Sequence, residues 1–247
     1  MIPSTWNFRQ ARAACVSTDP PSEFASVATV STAKTKLRHL AARSLVILSR
    51  PFGSGAAKTY GIKRRDICRN DALPFDDRLL IDQWQKEVYQ HAQQLMEQHG
   101  MRSVVDIGCG SGYKLINYLG QYNTLGLEIG PTLDFVRKKY PDRRWAMSDF
   151  DAGDRPEADL VVCADVIEHL SAPDALLAFI KRIGPRYVVI STPSRDHLYP
   201  WWHKCQDGPP SNRHHVREWS FGEFRRYISA HFESWDTRLR TSRKRPR

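Results

Sequence analysis

Hydrophobic and polar positions along the chain fall into two alternating patterns. Short, nearly continuous apolar runs recur at SVVDI (103–107), TLGLEI (124–129), RWAMSD (144–149), ADLVVCAD (158–165) and RYVVIST (186–192). Runs of this kind predict strands covered on both faces, as in a parallel sheet. Between them apolar residues return at steps of three and four, the period of a helix with one buried face. Helices are predicted from the Gly-rich turn after residue 107 through Tyr118, over 132–139, and from Pro173 through Leu176, Leu177, Ile180 and Ile183. Upstream, Asp76 or Asp77 is placed to cap a helix reaching about His99, with Gly100 closing it and Ile81, Trp84, Val88, Ala92 and Leu95 as its stripe. Ser220 is placed to cap a final helix. Strand–helix alternation at this spacing predicts an α/β fold: a doubly wound, mostly parallel sheet with helices on both faces.

The ends of the chain read differently. Residues 1–35 are rich in Ser, Thr, Ala and Pro without a sustained period, and are expected to be poorly ordered. Residues 34–50 predict a short basic helix with Leu37, Leu40, Ala41, Leu45 and Leu48 on one face, suited to a packing contact or to a membrane surface. Charge follows the same division. Residues 1–70 carry 12 Lys/Arg against 3 Asp/Glu, residues 238–247 carry six and none, and residues 71–237 carry 19 against 24. The net +10 of the 247-residue chain therefore belongs to its two ends, and the body is mildly acidic. A nucleic-acid groove in the body is not favoured, although the basic tails are able to touch nucleic acid or anionic lipid. The expected organisation is a basic, partly disordered extension (1–70), one catalytic-sized domain (71–237) and a flexible basic tail (238–247). Five widely spaced cysteines with no C-x-x-C pair argue against a disulfide framework and a zinc knuckle. No apolar run approaches the roughly 18 residues of a membrane span. These features fit a cytoplasmic protein, with peripheral membrane contact left open; oligomeric state is not legible.

The chemistry concentrates after the first strand of the body. Asp106-Ile-Gly-Cys-Gly-Ser-Gly112 joins that strand to a helix, and its glycines let backbone approach a ligand without Cβ interference. The helix behind the loop offers free N–H groups. Glu128, at the end of the next strand, is spaced to accept hydrogen bonds from a ribose diol. The loop reads G-x-G-x-G, with an acid two residues before its first glycine. That carboxylate suits a cationic amino-acid moiety better than a pyrophosphate, although a dinucleotide enzyme or an inactive relative remains an alternative.

On VVDIGCGSG (104–112), LGLEIG (125–130), MSDFD (147–151) and CADVIEHL (163–170), the sequence resembles the class I S-adenosylmethionine-dependent methyltransferases over about residues 75–240. The resemblance implies a Rossmann-like methyltransferase domain with S-adenosylmethionine as cofactor. It implies that Gly108, Gly110 and Gly112 cradle the methionine part with Asp106 nearby, and that Glu128 binds the ribose hydroxyls. Ile129 would pack on adenine, Asp149 and Phe150 would bracket the base, and Ala164 and Asp165 would line the floor near the methyl group.

On the acceptor side, His169 and His215 are the candidates for a base that takes a proton from a hydroxyl. The irregular stretch between STPSRDH (191–197) and GPPSNRHHVREWSFGEF (208–224) is long enough to be a substrate lid. Together with FDDRLLIDQWQKEVY it resembles bacterial methyltransferases found beside glycosyltransferases and secondary-metabolite enzymes, which implies a glycan or small-molecule hydroxyl as acceptor. Asp165-x-x-Glu168-His169 with His215 is also similar to the small-RNA 3′-terminal 2′-O-methyltransferases. In that family two carboxylates and two histidines hold a divalent cation; here Asp165 stands where the family has Glu, a shorter reach, and no metal ligand is assigned from the sequence. A non-catalytic nucleotide-binding adaptor is the third reading.

Overall fold

A computed structural model describes residues 14–17, 60–62, 68–82, 84–148, 150, 156–199, 201–206, 208–232 and 236–239. The expected basic helix over 34–50 and the loop before residue 60 lie outside them. Five strands form a parallel core sheet: β2 (Ser103–Ile107), β3 (Asn123–Glu128), β4 (Arg144–Met147), β5 (Leu160–Ala164) and β6 (Tyr187–Ser191), ordered β4-β3-β2-β5-β6. Two short strands, β1 (Ala14–Ser17) and β7 (Asp236–Leu239), continue the sheet antiparallel beyond β6, so four residues of the stretch expected to be poorly ordered, and the first two of the expected flexible tail, are strand held by backbone pairing. The strand order turns back between β2 and β5, so the crevice of this sheet opens at their carboxyl ends.

Alternate strand residues feed two apolar layers. Val104, Leu160, Val162 and Val189 pack with Val88, Tyr89, Ala92 and Met96 of α1 (Lys86–Gln98) and with Leu115 and Leu119 of α2 (Tyr113–Leu119). Val105, Ile107, Val161, Cys163, Val188 and Ile190 pack with Leu176, Leu177, Ile180 and Ile183 of α4 (Pro173–Ile183) and, past the one-turn α5 (Arg195–Leu198), with Phe224 and Ile228 of α6 (Phe221–Ser229). Helix α3 (Gly130–Lys139) follows β3 and buries Leu133 and Val136. Both faces of the sheet are covered, which is why its strands read as unbroken apolar runs. Pro173 opens α4 with its φ already set for a helix, and Gly184, at φ 67, closes it. At the start of α6, Ser220 Oγ accepts from Glu223 N at 3.2 Å while Glu223 Oε2 accepts from Ser220 N at 3.0 Å, a reciprocal capping box.

One predicted helix is shortened. The stripe from Ile81 to Leu95 suggests a helix from Asp76 or Asp77, yet α1 begins only at Lys86. Gln85 holds φ 64, outside the helical range, and its Nε2 donates to the carbonyl of Ala164 at 3.1 Å. Asp76 closes a local turn instead, accepting from Arg78 N at 3.2 Å. Residues 75–82, with 84 and 85, consequently run as an irregular strap rather than as the first turns of α1, and Ile81 and Trp84 stay 45% and 44% exposed.

Candidate active site

The loop after β2 holds the first half of the site. Gly108 and Gly110 adopt φ of +69° and +55°, values that L side chains resist. A Cβ on Gly110 would stand 1.7 Å from Asp77 Oδ2, so the bare Cα is what admits that carboxylate. Gly112 precedes the first residue of α2. Glu128 reaches back from the tip of β3: its Oε2 accepts from Gly110 N at 2.9 Å and its Oε1 from Ile129 N at 2.9 Å. Ile129 lies beside it, 60% exposed.

Asp106 is fully buried below the loop. Its Oδ2 accepts from the Tyr89 hydroxyl at 2.8 Å, and its Oδ1 has no hydrogen-bond partner among the described residues. Burial lifts its carboxyl to about 7, against the opposing hydrogen bond from Tyr89 and the charge of Lys114; Glu128 and Asp77 add to the rise. Burial also raises Asp77 and Glu128. Three carboxylates thus crowd one loop, with the Lys114 ammonium as the opposing charge, and Lys114 itself donates to the carbonyl of Ile81 at 3.1 Å.

Other expected cofactor residues are placed unequally. Ala164 is buried at the end of β5. Asp165 follows at φ 54, with Oδ1 accepting from Ser191 Oγ at 2.6 Å. Phe150 is engaged by α4, its ring tilted on Phe179 at 5.7 Å and its carbonyl accepting from Arg182. Asp149 lies outside the described residues.

A second group stands just past β5. Glu168, His169 and His215 bring one ligating atom each within 4.8 Å of one another. Sequence distance is closed by backbone: Val216 N and Arg217 N donate to the carbonyl of Glu168 at 2.8 and 3.3 Å, seating the 208–219 segment on the turn Ile167–His169. Asp165 is not a member of this group. Glu168 is fully buried, with Oε2 accepting from Thr192 Oγ1 at 3.2 Å and Oε1 unpartnered among the described residues. Burial first, then the charge of Asp165, holds its carboxyl well above the usual range. His169 Nδ1 donates to the carbonyl of His214 at 2.7 Å, which fixes the tautomer and leaves the Nε2 lone pair free to accept. Burial and then the neighbouring His215 lower its imidazole to about 4, so it is neutral at pH 7. His215 Nδ1 donates to Glu218 Oε1 at 2.6 Å, and Asn212 Nδ2 meets its Nε2 at 2.9 Å. Among the described residues His169 Nε2 and Glu168 Oε1 are open, and with His215 Nε2, once Asn212 gives way, they form a donor set suited to a first-row divalent cation.

Aromatic side chains rim this group. Phe75 stacks on His169 at 5.8 Å and 17°, and meets His214 edge-on at 5.2 Å and Trp84 at 6.5 Å. Trp201 and Trp202 stand 83% and 70% exposed on the lid stretch. Sequence patterning singled out neither Phe75, Asp77 and Gln85 nor Tyr89 and Lys114 for the site. Asp77 carried a signal, but it read as a helix cap.

Comparison with known proteins follows this geometry. A family model described as "Methyltransferase domain" matches residues 63–238. The chain is 25% identical over 194 residues to the small RNA 2′-O-methyltransferase of Rattus norvegicus, covering 67% of this chain and 45% of that protein. It spans less than half the length of the curated relatives it matches. Among solved structures, the methyltransferase domain of bacterial CtHen1-C is similar with a TM-score of 0.47 and 19% identity, covering 59% of this chain and 81% of that one. Streptomyces venezuelae DesVI is similar with a TM-score of 0.40 and 20% identity, covering 47% and 53%.

Proposed function

This chain belongs to the methyltransferase-domain family and uses S-adenosylmethionine; from that premise we propose that it methylates a hydroxyl oxygen of a sugar ring presented at a divalent cation. The observation that carries this reading is the Glu168–His169–His215 group beside the cofactor loop. The cofactor supplies a methyl carbon on a sulfonium, a leaving group that departs without protonation. Glu128 is assigned to the ribose hydroxyls, Gly108 to Gly112 and Asp106 to the methionyl part, and Ala164 with Asp165 to the floor below the methyl. Ile129 offers an exposed apolar face to adenine. Phe150, already engaged by α4, contributes at most an edge.

Glu168, His169 and His215 would hold the cation, which supplies Lewis acidity that lowers the pKa of a bound hydroxyl. His169 serves this role because it is neutral and its Nδ1–H is committed to His214. Phe75 and Trp84 offer faces on which a ring acceptor can stack. Positioning and water exclusion then supply much of the acceleration.

The test is methyl transfer from labelled cofactor to sugar and glycan acceptors with and without chelator. Activity lost to chelator and restored by Mn²⁺, and lost in His215→Ala, supports the reading. Chelator indifference, with activity still dependent on His169, would make that histidine the base and remove the cation. A second reading, the 3′-terminal ribose of RNA as acceptor, is favoured by the name of the rat relative. It predicts transfer to short RNA that stops when the terminal 2′-hydroxyl is absent.

A further inference from the structure

The strap between Phe75 and Gln85 stands where its sequence suggests a helix; its ends meet His169 and the Ala164 carbonyl, and its middle is tied to the cofactor loop and the helix behind it. Ser111 Oγ donates to the Leu80 carbonyl at 2.5 Å, Lys114 Nζ to the Ile81 carbonyl at 3.1 Å, and the Tyr118 hydroxyl to Asp82 Oδ2 at 2.8 Å. These bonds put the Asp77 carboxylate against the Cα of Gly110, while Glu128 accepts from the N–H of the same residue. Beneath them the fully buried Asp106 keeps one oxygen without a partner among the described residues. The three acids feel one another's charge. Lys114 offsets part of it, yet its ammonium is already engaged by the Ile81 carbonyl. Such a pocket is short of positive charge, and an unsatisfied buried carboxylate oxygen costs free energy until a donor reaches it.

We propose that Asp77 is a cofactor-binding residue delivered by the strap, accepting from the α-ammonium of the methionyl part of S-adenosylmethionine above Gly110 while Asp106 meets it from below. This rests on the cofactor assignment and adds to it a carboxylate that lies outside the Gly-rich motif. It also explains Gly110 without reference to the turn alone: any side chain there would occupy the place of the Asp77 carboxylate. The ligand recognised is a primary ammonium on an amino-acid chain, and the adenosine part is indifferent to Asp77.

The experiment is calorimetric titration of the full chain with two ligands, S-adenosylhomocysteine and 5′-methylthioadenosine. The second carries the adenosine and sulfur but no amino acid. In Asp77→Asn, affinity for S-adenosylhomocysteine falls by about tenfold or more, the scale of one charge-assisted hydrogen bond, while affinity for methylthioadenosine stays within about twofold of wild type. Asp76→Asn, at an exposed residue paired with Arg78, changes neither. Retained methylthioadenosine binding also reports that the variant is folded. Equal loss for both ligands would make the strap a positioning element only and overturn the proposal, as would undiminished S-adenosylhomocysteine binding. If the wild-type chain binds neither ligand, the cofactor assignment falls and this proposal with it. If wild type binds both and the variant fails to discriminate between them, only the proposal falls.

Discussion

Asp106 couples the cofactor pocket to the acidity of the medium. Folding raises its carboxyl from 3.8 to about 7, so between those values the folded chain holds a proton that the unfolded chain has lost. Its contribution to the stability of the ligand-free protein therefore falls as pH rises through that window. Asp106→Asn, which keeps an oxygen for the Tyr89 hydroxyl, removes this dependence. Thermal melts of the two proteins from pH 5 to 8 are expected to diverge with rising pH, the variant being the more stable at pH 8; parallel curves would contradict the assignment. Gly110 supplies a steric counterpart. Gly110→Ala places a methyl carbon where Asp77 lies and is expected to weaken S-adenosylhomocysteine by more than about tenfold. Gly100→Ala has a similar φ of +60° but meets nothing within 4 Å, so its cost is backbone strain of about 1–2 kcal/mol with cofactor affinity intact. Titration and melting of both variants separate the two effects.

Among the elements, α6 shows how a local signal fixes structure. Ser220 and Glu223 satisfy each other's backbone N–H groups, and both lie three residues apart in sequence. Ser220→Ala is expected to cost about 1 kcal/mol, a fall of roughly 2–4 °C in Tm for a domain of this size, without altering cofactor affinity; differential scanning calorimetry decides it. The central strands β5 and β6 were legible for a comparable reason, since burial on both faces imposes apolar residues along nearly their whole length. The strap was not. Steps of three and four from Ile81 through Leu95 satisfy a helix template. What ends the helix is Gln85, whose left-handed backbone is held by the carbonyl of Ala164, 79 residues away. Glutamine carries no capping signature, so no pattern within the segment announces the break. For the same reason Phe75 and Asp77 came into the site unannounced, whereas the Gly-rich loop and Glu128, whose requirements are set by adjacent residues, were readable from sequence.

At the scale of the whole molecule, charge and site are separated along the sequence. The acidic body carries the cofactor loop and the Glu168–His169–His215 group, while the excess of Lys and Arg lies in residues 1–70 and 238–247. Backbone-phosphate attraction, which grows with the number of cationic contacts, belongs to those ends. Removing residues 241–247, which carry four Lys/Arg, is expected to flatten the salt dependence of RNA retention on filters. Methyl transfer to a free sugar should not change. A sugar rate that fell with the tail would show that the tail serves catalysis as well as attraction.

Phe75 stacks on His169, and Asp77, two residues further on, rests against Gly110. Two rooms of the enzyme therefore share one beam. A change at the carboxylate is therefore carried along two residues of backbone to the ring that walls His169. Kinetically such a shared strap predicts an ordered sequence of arrival, with the methyl donor entering first, the acceptor second, and the demethylated donor leaving last. Inhibition by the methylated product should accordingly be noncompetitive against both donor and acceptor, and competition with the acceptor would show that the two rooms furnish themselves independently.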